Sequence, residues 1–442
     1  MKALDPNFPF APRRLPIFYG WVVVVMTTLG VVASIPGQTM GVSVFTDHLI
    51  RATPVSRLTL STTYLVGTIA SGLLLPRGGI VLDRLGARGT AVAAAVTLAL
   101  SLVYLSRVDG VARLVTRATG APPEWAAVGA LVLGFTALRF SGQGMLTLAS
   151  RTMLGKWFDR RRGTVAGISG VFISFGFSAT PLLLSLWIGA AGWRGAWLGM
   201  ALVGMGLAAL AWLFFRDNPE ECGLEMDGGP AARTGPLPVR GEPPVAPERD
   251  LDRHAAVRTS AFWAVTLALA LHGMMVTGIT FHIVDLGSSG GLTEKATVAL
   301  FLPMAVVSTS LQVLVGIVSD RVRIKWLVAV MMGFEAVGVA CAAHLGDPVT
   351  RWVAVLSLGA AGGFFSPLST VALPRLFGRT HLGSIGGAQM MAMVLTSALG
   401  PTLLALAHRH TDGYAPALYA GAALAAPVFL LALRSTNPKR DV

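Results

Sequence analysis

The chain has 442 residues, of which 53% are hydrophobic and only 13% are charged, and its mean hydropathy is +0.66. A soluble domain needs roughly 25% charged residues to cover its surface, so this composition excludes an ordinary soluble protein. The formal net charge of +13 raises the question of nucleic-acid binding. The basic residues, however, are scattered singly between apolar segments and do not gather with aromatics on one soluble face. We therefore expect a helical membrane protein without a nucleic-acid partner.

Apolar segments long enough to span a bilayer recur along the chain, because a spanning helix needs about 20 mainly apolar residues. In chain order the predicted spans are 19–46, 58–82, 88–106, 124–150, 164–188, 194–215, 260–284, 296–319, 326–345, 350–374, 383–408 and 414–433. The polar, Pro-rich start does not resemble a cleavable signal peptide, so the first span is expected to stay as helix one. The sequence thus predicts an all-α membrane protein with twelve transmembrane helices.

One long connection divides these spans into two sets of six. It covers 216–258, is rich in Pro, Gly and charge, and has no apolar periodicity, so we interpret it as a solvated linker. The predicted organisation is a tail at 1–18, a bundle at 19–215, the linker at 216–258, a second bundle at 259–434 and a tail at 435–442. The other long connection is 107–123. Cys222 and Cys341 show neither a disulfide framework nor a metal-ligand spacing, so no metal and no cofactor are expected.

The placement of Lys and Arg predicts the orientation of the chain. With both termini cytoplasmic, the short inner segments hold roughly twice as many basic residues as the outer segments, which is the positive-inside pattern. We therefore expect a multi-pass protein of a cell inner membrane with both termini on the cytoplasmic side.

The two halves repeat a motif at the inner end of their second span. Gly79-Ile-Val-Leu-Asp83-Arg84 after span two matches Gly316-Ile-Val-Ser-Asp320-Arg321 after span eight. Parallel repeats of six spans around a long inner loop are typical of transporters that rock two bundles about a midplane site.

At this motif a family resemblance becomes recognisable. The run Gly79 to Arg88 resembles the signature of the major facilitator superfamily, as do Arg139-x-x-x-Gln143-Gly144 and the loop Lys156 to Gly163. Three further segments are similar to the monocarboxylate transporter and oxalate–formate antiporter branch, namely Tyr19-Gly20-Trp21, Arg216 to Glu221 and His282 to Gly287. The resemblance implies two pseudo-symmetric six-helix bundles, transport by alternating access and function as a monomer.

One position departs from that branch. Its span eight often carries an Arg that faces the substrate carboxylate, whereas this chain has Leu311-Gln312 there, and span eleven contains no Lys or Arg. An amide cannot replace the bidentate contact between Arg and a carboxylate. The sequence therefore leaves open a carboxylate, a neutral or zwitterionic solute, and an anion paired with another cation.

The repeated motif is expected to form an inner gate. A carboxylate at a helix end can accept hydrogen bonds from the N-terminus of a neighbouring helix and can pair with Arg. The alternative is simple turn formation, and the recurrence after span eight favours the gate. The predicted gating residues are Gly79, Asp83, Arg84, Arg88, Gly316, Asp320 and Arg321.

Ionisable side chains inside the spans are candidate functional sites, because a charge within lipid is costly. For Arg139 the resemblance implies proton coupling or substrate binding, and the alternative is a structural pair. Histidine as a residue type can exchange a proton near neutral pH, so His272 could carry a proton, or it could be a neutral interhelical histidine. Glu335 is expected to point into the second bundle, and His282 could also only mark an outer helix end. The proton-coupling candidates are Arg139, His272, His282 and Glu335.

Four glutamines fall in spans that line the cavity in the family that this chain resembles. Amides both donate and accept hydrogen bonds, which suits a polar ligand, although each amide could equally join two helices. The predicted substrate-binding residues are Gln38, Arg139, Gln143, His272, Gln312 and Gln389.

The predicted function is secondary active transport of a small organic solute, with a carboxylate as one option, coupled to protons. Its partners would be this solute, protons and the lipid bilayer. One alternative is a drug or metabolite exporter, although Gly176 to Pro181 only loosely resembles the exporter motif. Another is a non-transporting membrane sensor, for which the linker is short. The sequence shows no nucleophile with a base, metal set or phosphate loop, so no catalytic residues and no enzymatic activity are expected.

Overall fold

A computed structural model describes residues 5–228, 250–411 and 413–438. Across these ranges the regular secondary structure is entirely helical. About half of the predicted linker, at 229–249, and the outermost residues of both predicted tails lie outside the described residues.

The described residues form seventeen α-helices joined by short 3₁₀ turns. The first eight are α1 (Gly20–Ala33), α2 (Thr39–Ser43), α3 (Thr46–Ala52), α4 (Arg57–Ser106), α5 (Val108–Thr119), α6 (Pro123–Arg139), α7 (Thr147–Trp157) and α8 (Arg162–Phe214). The others are α9 (Arg253–Val257), α10 (Ser260–Phe281), α11 (Ile283–Ser289), α12 (Glu294–Ala299), α13 (Phe301–Ser319), α14 (Ile324–Cys341), α15 (Pro348–Phe377), α16 (Leu382–Thr411) and α17 (Ala415–Arg434).

Ten helical stretches of the described chain are long and apolar enough to cross a membrane. Two of them contain a turn at a glycine: α4 turns at Gly86 (φ 78°, ψ 169°) and α8 turns at Gly192 (φ 71°, ψ 164°). Glycine adopts a positive φ without the penalty that a Cβ imposes, so each glycine joins two spans within one helical stretch. The described residues therefore contain twelve spans, and the predicted all-α membrane fold is confirmed.

The predicted span 19–46 is wrong in its second half. α1 ends at Ala33, a 3₁₀ turn follows, and Gln38 has an extended backbone (φ −92°, ψ 157°) before α2 begins. Pro36 lies in this turn, and proline disfavours a continuous helix because it lacks an N–H and crowds the preceding turn. The apolar run continues through the break, so hydropathy alone did not reveal it.

The long connection 107–123 contains an amphipathic helix, α5. Asp109 in its first turn accepts from Arg113, one turn later, at 3.0 Å and pairs with Arg194 at 3.0 Å. These charge pairs and the half-buried face of α5 stabilise the helix. Hydropathy did not indicate it, because the segment has a low apolar content.

The contacts between Cα atoms divide the chain into two compact units. Unit 1 comprises Met1–Trp157, Phe172–Thr234 and Gly386–Ala388, and unit 2 comprises Phe158–Val171, Gly235–Ile385 and Gln389–Val442. In unit 1, α4 packs against α6 and α7, and α1 packs against α7. In unit 2, α10 and α14 pack against each other, and both pack against α15 and α17.

Two buried arginines hold the N-terminal segment, residues 5–19, within unit 1. Arg88 donates from Nη1 to Asp5 O at 3.0 Å, from Nη2 to Phe8 O at 2.8 Å and from Nε to Trp212 O at 2.8 Å. Arg216 donates to Phe8 O at 3.2 Å. A guanidinium has five donors and can therefore satisfy several carbonyl groups at once. The segment is consequently packed near the Gly86 turn of α4 and the C-terminal end of α8.

The Cys222 thiol is buried beneath the same segment, with Sγ 4.0 Å from Pro6 O. Burial raises the pKa of the Cys222 thiol to about 11, because a thiolate is poorly solvated there. Since the thiolate is the reactive form, we expect folded Cys341→Ser protein to react with a maleimide at pH 7.5 at least about 100-fold more slowly than unfolded protein. The rate should rise about tenfold per pH unit up to a pH near the raised pKa.

Mass spectrometry of folded and detergent-unfolded samples measures this labelling. Rapid labelling of the folded protein at pH 7.5 would show that the N-terminal segment does not cover Cys222.

Candidate functional site

Arg139 is the last residue of α6 and is almost completely buried, with 2% of its surface exposed. Its Nη1 donates to Gly37 O at 3.3 Å, to Thr39 Oγ1 at 3.2 Å and to Tyr64 OH at 2.9 Å. The guanidinium carbon also lies 5.3 Å from the centre of the Tyr64 ring. All of these partners are neutral, and no carboxylate of the described residues forms an ion pair with Arg139.

The other donors of Arg139 have no acceptor among the described residues. Nε is buried without a hydrogen-bond partner, and Nη2 forms no hydrogen bond to any residue that the structure describes. Nε and Nη2 form one edge of the guanidinium, and such an edge can donate two parallel hydrogen bonds to a carboxylate. The site therefore has a buried positive charge with a free bidentate edge.

The break after α1 positions the neutral partners of Arg139. A π-helical segment, Phe140–Leu146, follows Arg139, and the 3₁₀ turn after α1 packs directly against it. A Cβ added to Gly37 would come within 2.6 Å of Leu138 O and 2.8 Å of the Gly142 Cα. Because only glycine allows this approach, Gly37 brings its own carbonyl group and the nearby Thr39 hydroxyl to the guanidinium.

Two of the predicted glutamines belong to the same unit as Arg139. Gln38 is half-buried and donates from Nε2 to Ser34 Oγ at 3.2 Å. Gln143, one turn after Arg139, is half-buried and its side chain forms no hydrogen bond within the described part of the chain. Of the predicted substrate-binding residues, Gln38, Arg139 and Gln143 lie in unit 1, and His272, Gln312 and Gln389 lie in unit 2.

In unit 2 the structure brings together two candidates that the sequence separates by 63 residues. His272 Nδ1 of α10 lies 2.7 Å from Glu335 Oε2 of α14, and Glu335 has no exposed surface. The Phe365 ring lies 5.3 Å from the imidazole ring. Glu335 therefore points into its bundle, and its partner is a histidine.

Gln312 and Gln389 are both buried in unit 2. A Cβ on Gly170 would come within 2.3 Å of Gln312 Oε1, so this glycine makes room for the amide. Gln389 Nε2 is buried without a hydrogen-bond partner among the described residues. An unsatisfied buried amide is costly, which makes Gln389 a candidate for contact with a polar ligand.

His282 lies at the end of α10, where it joins three helices. Its Nε2 is 3.0 Å from Pro401 O of α16, and its Nδ1 is 3.2 Å from the hydroxyl of Tyr414, the residue before α17. Tyr414 donates to Asp285 Oδ2 at 3.2 Å. This arrangement favours the interpretation that His282 marks and stabilises a helix end.

The repeated motif forms a helix-capping contact in unit 2. Asp320, at the end of α13, accepts from the backbone N–H groups of Gly163 at 2.6 Å and Thr164 at 2.9 Å, and from Thr164 Oγ1 at 2.7 Å. These groups belong to the first turn of α8, where free N–H groups and the helix dipole favour a carboxylate. A Cβ on Gly316 would come within 2.5 Å of Gly163 O, so the motif glycine allows the approach.

The arginines of the motif do not share this contact. Arg84 and Arg321 are exposed, and neither forms an ion pair with a described residue. Arg88 holds the N-terminal segment, so its observed contacts stabilise packing. Gly79 is buried in α4, and Asp83 is half-buried near the turn at Gly86.

We expect Asp320→Asn to slow transport by about tenfold without unfolding the protein. An asparagine keeps one acceptor oxygen, but it loses the charge and directs an NH₂ group toward N–H donors. Initial rates of uptake in proteoliposomes measure the effect, with size-exclusion profiles as the folding control. Asp227→Asn, outside the motif, should transport normally, and an unchanged rate for Asp320→Asn would remove the capping contact from the transport cycle.

Comparison with known proteins gives the family. The sequence matches the family model of the Major Facilitator Superfamily over residues 17–401. The chain belongs to the Major Facilitator Superfamily. No curated protein matches the sequence.

Several solved structures of transporters share the fold of this major facilitator. The proton:xylose symporter XylE is 15% identical, with a TM-score of 0.69 and coverage of 94% of this chain and 95% of that chain. A bacterial homologue of the iron transporter ferroportin is 16% identical, with a TM-score of 0.68 and coverage of 94% and 98%. The human organic anion transporter MFSD10 is 14% identical, with a TM-score of 0.64 and coverage of 95% and 100%. At these identities the likeness shows the fold.

Family and fold together establish that this major facilitator is a multi-pass membrane protein and a secondary transporter, and that it is not an enzyme. Sequence reasoning missed two residues of its Arg139 site, Thr39 and Tyr64. Tyr64 could have been noticed in the sequence as an aromatic residue with a hydroxyl group inside an apolar span. Thr39 could not, because it reaches Arg139 through the break that follows α1.

Proposed function

We propose that this transporter carries a small organic anion together with protons across the inner membrane, and that Arg139 binds a carboxylate group of the anion. The observation that carries the proposal is the buried guanidinium of Arg139, which has three neutral partners and an unused Nε–Nη2 edge. The proposed orientation places both termini in the cytoplasm.

The energetics support an anionic ligand. An Arg at the centre of a membrane helix costs at least about 2.5 kcal/mol on insertion scales. Neutral hydrogen bonds to Nη1 and the Tyr64 ring reduce this cost, but they do not neutralise the charge. A bound carboxylate would neutralise it and would accept from both free donors. The proposal needs no Arg at position 312, because Arg139 itself supplies the cation.

The net charge that crosses the membrane with the solute also supports coupling to protons. A monoanion that crosses with one proton moves no net charge, so the membrane potential does not oppose its accumulation. His272 and Glu335 provide a titratable pair inside unit 2 that can carry such a proton.

The proposal is tested with matched pairs of carboxylates and amides. The melting temperature of the purified protein is measured with acetate, lactate and succinate, and with the amide of each acid, at pH 6.0 and 7.5. The carboxylates should raise the melting temperature, and the amides should not. Proteoliposomes with an inward proton gradient should accumulate the stabilising acid, and a proton ionophore should abolish accumulation. Equal stabilisation by amides, or transport of sugars or cationic drugs with no carboxylate transport, would contradict the proposal and favour the neutral-solute or exporter alternative.

A further inference from the structure

A cavity lined by basic side chains lies at one end of unit 2, where α10 and α14 begin and where α15 and α17 end. Its volume is about 310 Å³, which lies within the range of small-molecule sites in proteins. Arg323, just before α14, Lys325, in the first turn of α14, and Arg375, near the end of α15, line it. Small apolar residues of α10 and the segment 435–437 complete its wall. We call this space the basic cavity.

The three cations of the basic cavity keep hydrogen-bond donors free for a ligand. None of them forms an ion pair with a residue that the structure describes. Arg323 is exposed and forms no hydrogen bond within the described ranges. Lys325 donates from Nζ to Leu433 O at 3.3 Å and has two further N–H donors. Arg375 uses Nη1 for two backbone carbonyl groups near the end of α13, which leaves its Nη2 available.

The basic cavity has a net positive charge. Among the described residues no carboxylate lines it. Asp320 and Asp159 are close enough to act on Arg375 electrostatically, but both have other partners. Asp320 accepts from the first turn of α8, and Asp159 forms an ion pair with Arg162 at 3.4 Å. In addition, α14 begins beside the cavity without a side-chain cap, so its first N–H groups add to the positive potential.

Two exposed tryptophans indicate that the basic cavity lies at the depth of the lipid headgroups. Trp263 of α10 and Trp326 of α14 are neighbours of cavity-lining residues in the sequence, and both are exposed. Tryptophan is enriched at the membrane–water interface. One turn deeper, Leu267 of α10 and Val330 of α14 are exposed as well. Each helix therefore has an apolar surface for acyl chains directly beyond its interfacial tryptophan.

We propose that the basic cavity binds the phosphate group of an anionic phospholipid, whose acyl chains lie along the exposed apolar surfaces of α10 and α14. Basic pockets between membrane helices bind anionic headgroups by charge complementarity, and phosphate oxygens accept strong hydrogen bonds from Arg and Lys. A bound phosphate would accept from donors of α14 and α15 together and so link the ends of these helices. In the proposed orientation the lipid belongs to the cytoplasmic leaflet. The inference does not depend on the transported solute.

The test compares two lipids that differ in headgroup charge. Purified full-length protein in detergent is titrated with phosphatidylglycerol or with phosphatidylcholine of the same acyl chains, and native mass spectrometry gives the dissociation constants. The wild type should bind its first phosphatidylglycerol at least about tenfold more tightly, because only this lipid has a net negative charge. The double variant Arg323→Gln with Lys325→Gln should reduce this preference to less than about threefold. A preference equal to that of wild type in the double variant, or no preference in the wild type, would overturn the inference.

A matched double variant removes the same charge from the same end of the unit. Arg258, just before α10, and Arg434, at the end of α17, are exposed, and neither lines the basic cavity. Arg258→Gln with Arg434→Gln should keep the preference for phosphatidylglycerol within about threefold of wild type. An equal loss in both double variants would show that general surface charge, and not the cavity, attracts the lipid.

Hydrogen–deuterium exchange of the wild type locates the site without any variant. Phosphatidylglycerol should slow exchange at 323–326 and 435–437, and phosphatidylcholine should not. Unchanged exchange at both segments would overturn the location, whether or not a variant folds. Inorganic phosphate in excess should displace little of the lipid, because it has no acyl chains. If phosphate alone protects both segments and displaces phosphatidylglycerol, the cavity holds a soluble anion and the assignment to a lipid is wrong.

Discussion

Arg139→Ala is expected to abolish carboxylate uptake and to weaken carboxylate binding by at least about 100-fold. Two charge-assisted hydrogen bonds from the Nε–Nη2 edge would be lost, at about 1.5–3 kcal/mol each, and each 1.4 kcal/mol corresponds to a factor of ten in affinity. Binding is measured by the shift in melting temperature against acid concentration, and uptake is measured in proteoliposomes.

Two companion variants make the Arg139 result specific. Arg139→Lys keeps the charge but cannot form the bidentate contact, so its affinity should lie between those of wild type and Arg139→Ala. Arg113→Ala removes an exposed arginine of α5 and should transport normally. Normal uptake by Arg139→Ala would show that the carboxylate binds elsewhere, and equal affinities of Arg139→Lys and wild type would rule out bidentate binding.

Arg88→Met is expected to have the largest effect on stability. The substitution retains an apolar side chain but removes the hydrogen bonds from Arg88 to the carbonyl groups of Asp5, Phe8 and Trp212. We expect the free energy of unfolding to fall by about 2–4 kcal/mol and the melting temperature to fall by about 5 °C. Thermal denaturation in detergent followed by tryptophan fluorescence measures the change.

Arg84→Met is the matched control, because Arg84 belongs to the same motif but is exposed. Its melting temperature should remain within about 1 °C of wild type. In the Arg88→Met protein the Cys222 thiol should also label faster at pH 7.5, since the segment above it is loosened. Equal melting temperatures for the two variants would contradict the stabilising role of Arg88.

Much of the fold could be predicted from hydropathy. A long apolar run surrounded by charge has few alternatives to a membrane helix, and the turns at Gly86 and Gly192 coincide with gaps between predicted spans. The break after Ala33 escaped prediction because the sequence remains apolar through Pro36. α5 escaped for the opposite reason, since its low apolar content resembles that of a loop.

The candidate site could be predicted residue by residue but not as an arrangement. Arg139, His272 and Glu335 stand out because ionisable groups are rare within lipid. Their partners depend on the rotation of each helix about its axis, which a single sequence does not specify. The pairing of His272 with Glu335 and the contact of Tyr64 with Arg139 therefore required the structure.

The subfamily is a narrower question than the superfamily. The match over residues 17–401 establishes the superfamily, whereas the resemblance to the monocarboxylate and oxalate–formate branch depends on three short segments. That branch assignment stays a prediction, and the carboxylate panel addresses it directly.

The contact between Gly37 and Gly142 offers a route to redesigning cargo preference. Main-chain packing, with no side chain between the two glycines, fixes the turn that faces the guanidinium. Thr39 and Tyr64 contact the guanidinium from around that fixed frame, so exchanging them would change the space beside Arg139 while the charge stays in place. Variants at these two positions would then admit longer or bulkier acids without rebuilding the helix that carries Arg139.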